Sequence, residues 1–179
     1  MRRVFVAIPV PDAVTDNLAR LRGGDSNGNI RWVTPANYHL TLAFLGDIST
    51  ARVDDVVDAT YRATEGVHPL HLVSQGVGAF PNLERARVLW AGLAGDADRL
   101  VAVQRVLVDE LSAALFKPDT KRFRPHVTIA RLRRAQPVPS RMPLLGLFGE
   151  WMADEVQVIE SVLRPSGPTY IPLADIPLE

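Results

Sequence analysis

The sequence predicts an α+β fold of two pseudo-symmetric lobes, each an antiparallel-rich sheet with helices outside, around a central cleft. Three observations predict it. Short β-type runs alternate irregularly with amphipathic helical runs, which is the order of a mixed rather than a doubly wound chain. Two strand–helix–strand units follow one another. In each of them a strand opens on the same tripeptide pattern, His39-Leu40-Thr41 in the first and His126-Val127-Thr128 in the second. The length of 179 residues suits one domain, 1–179, made of two intimately packed and intertwined lobes.

In chain order, Val4–Ile8 reads as a strand, and Pro11-Asp12 suits a helix entrance. Ala13, Val14, Leu18 and Leu21 then make an apolar stripe through Arg22. Gly23 to Asn29 is a loop by composition, Ile30–Val33 a short strand and Thr34 to Asn37 a turn. The first motif strand is expected over His39–Leu45, stopped by Gly46-Asp47. Val53, Val56, Val57 and Tyr61 have helical spacing within Thr50–Thr64, and His71–Val77 and Arg87–Gly92 read as strands. Asp96–Leu115 is the clearest helix, because Leu100, Val103, Leu107, Leu111 and Leu115 recur every three or four residues. The second motif strand, His126–Leu132, follows a Pro125 that suits a strand's first position. Arg133–Pro143 reads as a loop, Trp151–Leu163 as one long alternating strand and Tyr170–Leu173 as a closing strand. Both motif strands are expected near the middle of their sheets.

Composition sets the class. Lys+Arg and Asp+Glu both total 20, so no global field draws the chain to nucleic acid or membrane. Locally, Lys121, Arg122, Arg124, Arg131, Arg133, Arg134 and Arg141 flank the second motif, a cluster of the kind that meets phosphate. There are no cysteines, which excludes disulfides, thiolate metal sites and a Cys nucleophile. The basic and apolar start, Met1 to Ile8, is cut by Pro9, Pro11 and Asp12 and reads as a strand rather than a leader. A cytoplasmic monomer with no membrane contact is the expectation.

The paired motif carries the chemistry. In a strand, residues i and i+2 share a face, so each tripeptide presents an imidazole beside a hydroxyl. Two such pairs closing on one phosphate supply a base for water, an acid for a leaving oxygen and donors for the non-bridging oxygens. Histidine titrates near ~6.5, so both protonation states are accessible at neutral pH. A single His-x-Thr arises often by chance; two in equivalent elements do not. Neither motif contains a third histidine or a carboxylate, so no metal site and no cofactor are expected. His68 and His71 fall on opposite faces of an extended chain and read as surface residues.

The chain resembles the two-histidine phosphoesterases, and among them the LigT-like RNA 2′,3′-cyclic phosphodiesterases, also called 2′-5′ RNA ligases. The resemblance rests on Arg2 to Pro9, Arg31-Trp32-Val33, and Asn37 to Gly46 around the first motif. It continues through Gly78 to Pro81, Arg87 to Gly92, Phe123 to Arg131 around the second motif, and Ser161 to Pro165 with Gly167 and Tyr170. It implies that His39 and His126 are the catalytic pair and Thr41 and Thr128 their phosphate-binding companions. By the same analogy His39 is the acid to O3′ and His126 the base to water, giving a 2′-phosphate. It further implies substrate contacts from Phe44 and Arg131, although strand parity puts both on the face opposite their motif histidine unless the strand bends. The implied partners are RNA with a 2′,3′-cyclic phosphate end and small cyclic nucleotides. Two other readings share the site: the reverse reaction, joining RNA ends through a 2′-5′ linkage, and a nucleotide-binding module without turnover, against which the intact His and Thr of both motifs argue.

Overall fold

Val4, Phe5, Val6, Ala7 and Ile8 are consecutive and all buried, so the first strand is covered on both faces. Such a strand needs a layer on each side. The computed structural model, which describes residues 1–179, supplies both. Its elements are β1 (Arg2–Pro9), α1 (Asp12–Ala19), β2 (Ile30–Trp32), β3 (His39–Ile48), α2 (Val53–Thr64), β4 (Leu70–Phe80) and β5 (Ala86–Gly95). They continue with α3 (Ala97–Ala113), β6 (His126–Gln136), β7 (Leu147–Ala153), β8 (Glu155–Arg164) and β9 (Gly167–Pro177).

Two antiparallel sheets result, one ordered β3-β1-β8-β9 and the other β2-β6-β5-β4-β7. Apart from the short β2, the orders correspond strand for strand. β3 and β6 carry the motifs, and each pairs with the strand that precedes it across a helix, β1 and β5 respectively. Those helices are exchanged. α1 leaves β1 yet buries Val14 and Leu18 against Val127, Ile129 and Phe148 of the second sheet. α3 leaves β5 yet buries Leu100, Leu107 and Leu111 with Val4, Val6 and Leu40 of the first. Each lobe is thus closed by a helix from the other unit, and the helices lie outside. The inner layer on β1 is a smaller cluster of Phe5, Ala7 and Ile159 with Tyr170 packed on it. No helix is long and apolar enough to cross a membrane.

Three sequence expectations are corrected. The motif strands are not central: β3 is the edge of its sheet, and β6 has only the three-residue β2 beyond it. Marginal placement brings β3 against β6 from the other sheet, which a strand buried mid-sheet would not reach. The run Trp151–Leu163 is two strands, because the chain leaves β4 in one sheet at Ala153 and enters the other at Glu155, pairing with β9 there and with β1 from Gln157. No Gly or Pro marks that switch. Finally, β3 and β6 run further than expected. Gly46 takes a left-handed φ of 69° and carries β3 on to Ile48 instead of ending it. Beyond Leu132, the Asn29 side chain donates to the Arg134 carbonyl and accepts from its N–H, holding β6 extended to Gln136.

Candidate active site

Both motif strands contain the same irregularity at the same place. In β3, Ala7 pairs with Thr41 and Val6 with Ala43, so Leu42 is an extra residue against β1. In β6, Trp90 pairs with Thr128 and Leu89 with Ala130, so Ile129 is extra against β5. An inserted residue flips the alternation that follows it. Leu42 and Ala43 are consequently both buried, as are Ile129 and Ala130, and the next residues, Phe44 and Arg131, emerge on the face of the motif histidines. The parity expected from an unbroken strand is therefore corrected, and the bulges are the reason. Phe44 and Arg131 line one cleft of about 450 Å³ with His39, Thr41 and Thr128, while His126 stands outside that lining, near enough to His39 for its charge to act there.

The two imidazoles are held alike. His39 Nδ1 lies 2.7 Å from the Asn37 carbonyl and His126 Nδ1 2.6 Å from the Arg124 carbonyl, each two residues upstream. A carbonyl only accepts, so both Nδ1 atoms carry hydrogen and both Nε2 atoms are left for proton exchange. Each ring is also wedged by aromatic neighbours. Phe5 and Tyr170 flank His39 at centroid distances of 4.8 and 5.1 Å. Phe80 and Trp90 flank His126 at 5.1 and 6.2 Å. Two rings and a backbone contact leave each imidazole little freedom to rotate.

Burial pushes both histidines below the ordinary 6.5. The carbonyl contacts oppose that shift, because they favour the cation. The charge of His126 depresses His39 further, and Arg131 depresses both. Three groups are close enough to sense one another's charge. Arg131 also stabilises the phenolate of Tyr170, whose burial raises it.

None of the cleft's lining residues is a carboxylate, while Arg3, Arg31 and Arg131 all reach it. An anion is the complementary ligand. The rest of the predicted basic cluster does not gather here. Lys121, Arg122, Arg124, Arg133 and Arg134 lie outside the lining, and Arg141 turns back to the carbonyls of Leu21 and Gly23 beside the Trp32 ring. His71 Nε2 meets Glu150 at 2.8 Å on the surface, and neither His68 nor His71 lines the cleft. Sequence reasoning missed Phe5, Tyr170, Phe80 and Trp90 as the walls of the imidazoles. Phe5 and Trp90 lie on the strands paired with β3 and β6, and Phe80 and Tyr170 on strands further across the two sheets, so only a known strand order would have found them.

A family model described as LigT like Phosphoesterase matches residues 8–90 and 93–170. The chain belongs to the LigT-like phosphoesterases. Its relatives in the family include the RNA 2′,3′-cyclic phosphodiesterase of Aquifex aeolicus, 34% identical over 78% of this chain and 77% of that protein. That of Thermus thermophilus is 32% identical over 94% of this chain and 86% of the relative. Among solved structures, TT0787 of Thermus thermophilus aligns with a TM-score of 0.80 at 31% identity, covering 98% of this chain and 97% of that one. The LigT of E. coli in complex with 3′-AMP shares the fold at a TM-score of 0.79, 24% identity and coverage of 99% and 97%.

Proposed function

We propose that this LigT-like phosphoesterase hydrolyses the 2′,3′-cyclic phosphate at an RNA 3′ end to a 2′-phosphate, with small cyclic nucleotides as alternative substrates. The mirrored pair of imidazoles, each with its Nδ1 hydrogen engaged and its Nε2 free, carries this reading. Relatives bearing the name RNA 2′,3′-cyclic phosphodiesterase support it.

In this reading water attacks phosphorus in line with O3′. The water proton passes to Nε2 of His126, the P–O3′ bond breaks, and O3′ takes the proton on Nε2 of His39. The charge growing on the non-bridging oxygens is met by the hydroxyls of Thr41 and Thr128 and by the Arg131 guanidinium. Phe44 meets the nucleoside. Residues 1–179 act as one domain, as a monomer in the cytoplasm, with no metal and no cofactor, since acid, base and oxyanion donors are all side chains.

The test is to incubate the protein with a cyclic-phosphate RNA in EDTA and map the product terminus. A 2′-phosphate formed at an undiminished rate is expected. A 3′-phosphate would reverse the acid and base, and turnover lost in EDTA but restored by a divalent ion would point to metal-assisted hydrolysis.

A further inference from the structure

Beyond Arg131, the strands that carry the site run on into a second concavity that the chemistry above does not use. It is about 470 Å³ in volume and lined by Arg85, Arg87 and Arg134 together with Asn82, Pro81 and Ala135. None of the three arginines takes part in an ion pair. The one polar contact of their guanidiniums within the protein is Arg87 Nη1 to the Arg133 carbonyl, at 2.6 Å. Three like charges converging on one hollow repel each other, and a hollow lined by one sign focuses its field on an incoming counter-ion. This happens in a chain whose positive and negative residues balance at 20 each, so the surplus is local.

The hollow is also preformed. Asn82 Oδ1 accepts the N–H groups of Glu84 and Arg85 at 3.1 and 2.9 Å, which fixes the β4–β5 turn. Its Nδ2 hydrogens are left without a partner. The backbone under Arg134 is pinned by Asn29, which accepts its N–H and donates to its carbonyl. Guanidiniums and an amide donor on rigid supports are a phosphate-binding set.

Its position says which phosphate. Arg134 follows Arg131 by three residues on β6, across a further irregularity in its pairing with β5, so at ~3.3 Å per residue the hollow lies no more than roughly 10 Å along the strand from the cleft. At about 3.4 Å per stacked nucleotide, that is within about three nucleotides of the reacting end. Pro81, on its rim, adjoins Phe80, whose ring packs on His126.

We propose that Arg85, Arg87 and Arg134 form a phosphate-binding subsite for the RNA backbone a few nucleotides upstream of the cyclic-phosphate end. The inference rests on the function proposed above and adds that the enzyme prefers an RNA strand to a mononucleotide. The subsite contributes to binding and not to bond breaking.

The test compares two substrates, a nucleoside 2′,3′-cyclic phosphate and a six-nucleotide RNA ending in one, on the full chain and on the variants Arg85→Gln, Arg134→Gln and the two combined. Arg87 is spared because it also bonds the backbone. In the unaltered protein, KM for the hexamer should be lower than for the mononucleotide and should rise more steeply with salt, by about 0.7 in the log–log slope per phosphate engaged. The double variant should raise the hexamer KM about tenfold, with kcat unchanged and the mononucleotide kinetics unaffected. Equal KM values for the two substrates in the unaltered protein would overturn the subsite, as would a hexamer KM and salt slope that the double variant leaves in place. A variant that damages both substrates alike would overturn it too. Failure of the unaltered protein on both substrates would instead overturn the proposed function, so the two failures are distinguishable.

Discussion

Phe44 and Arg131 hold the same place in different lobes. Each follows its motif histidine by five residues and each is returned to the cleft by a one-residue bulge, at Leu42 and Ile129. The backbone symmetry therefore ends in a chemical asymmetry, an apolar ring on the His39 side and a cation on the His126 side. Two matched histidines cannot by themselves divide acid from base. Groups that differ across the pseudo-symmetry can, and these two differ in charge.

Phe44 is 42% exposed, so it adds little to the core. Arg3 also stacks over its ring at 4.8 Å. Phe44→Ala should raise KM several-fold by removing an apolar contact and freeing Arg3, with the melting temperature shifted by only a degree or two. Steady-state kinetics beside calorimetry would check this. A large loss of stability with unchanged KM would return Phe44 to a packing role.

The pH profile follows from burial and charge. Both histidines titrate below the ordinary 6.5, so the bell of kcat/KM should be centred on the acid side of that value. Its two limbs belong to the interacting pair rather than to one ring each. Arg131 lowers both, so Arg131→Gln should move both limbs to higher pH as well as raising KM. The same depression has a stability consequence. A histidine held neutral in the fold stabilises it fully above the unfolded value of ~6.5, and that contribution is lost as pH falls through the folded value. Thermal unfolding between pH 7.5 and 5 should show that loss, and His39→Gln should reduce it. An NMR titration placing both rings at or above 6.5 would contradict both the pH–rate and the stability expectations.

His39→Ala and His126→Ala should each lower kcat by roughly 10²–10⁴-fold, since each removes a proton-transfer partner. The double variant should fall well short of the product, because acid and base act in one step. Thr41→Ala and Thr128→Ala remove a single donor to developing charge and should cost less than loss of the neighbouring imidazole. His71 is tied to Glu150 and His68 lies outside the cleft, so alanine at either should leave turnover nearly unchanged.

What could be read in advance was what repeats locally. The motif pairs, the α3 stripe from Leu100 to Leu111 and most of the β-type runs are set by residues within one element and are found where the spacing put them, whereas Leu115 lies past the end of α3 at a φ of 64° and is exposed. The bulges were not legible. Leu42-Ala43 and Ile129-Ala130 are apolar pairs like many others, and only pairing with β1 and β5 makes one of each pair extra. The exchange of α1 and α3 between lobes, and the strand switch at Asp154, likewise depend on partners distant in sequence. The aromatic walls of the imidazoles were hidden for the same reason.

Gly78 offers the sharpest test of those walls, because it touches nothing that reacts. It pairs with Trp90 across β4 and β5, and the indole lies over it. A Cβ there would overlap Cη2 and Cζ2 of Trp90 and come within 2.7 Å of Cζ3. The indole must then move. It packs on Phe80 at 5.2 Å, and both rings wedge His126. Gly78 has no left-handed φ, so alanine brings no backbone strain of its own and the clash is the whole effect. Gly78→Ala should therefore loosen His126 and lower kcat about tenfold or more, with KM for a cyclic mononucleotide little changed, since misplaced proton transfer costs rate rather than ground-state binding. Stability should fall by about 1–3 kcal/mol, the usual cost of overpacking. Pairing Gly78→Ala with Trp90→Phe, which shortens the ring system over that position, should recover a good part of kcat. If the combined variant were no better than Gly78→Ala alone, the indole would not be what positions His126.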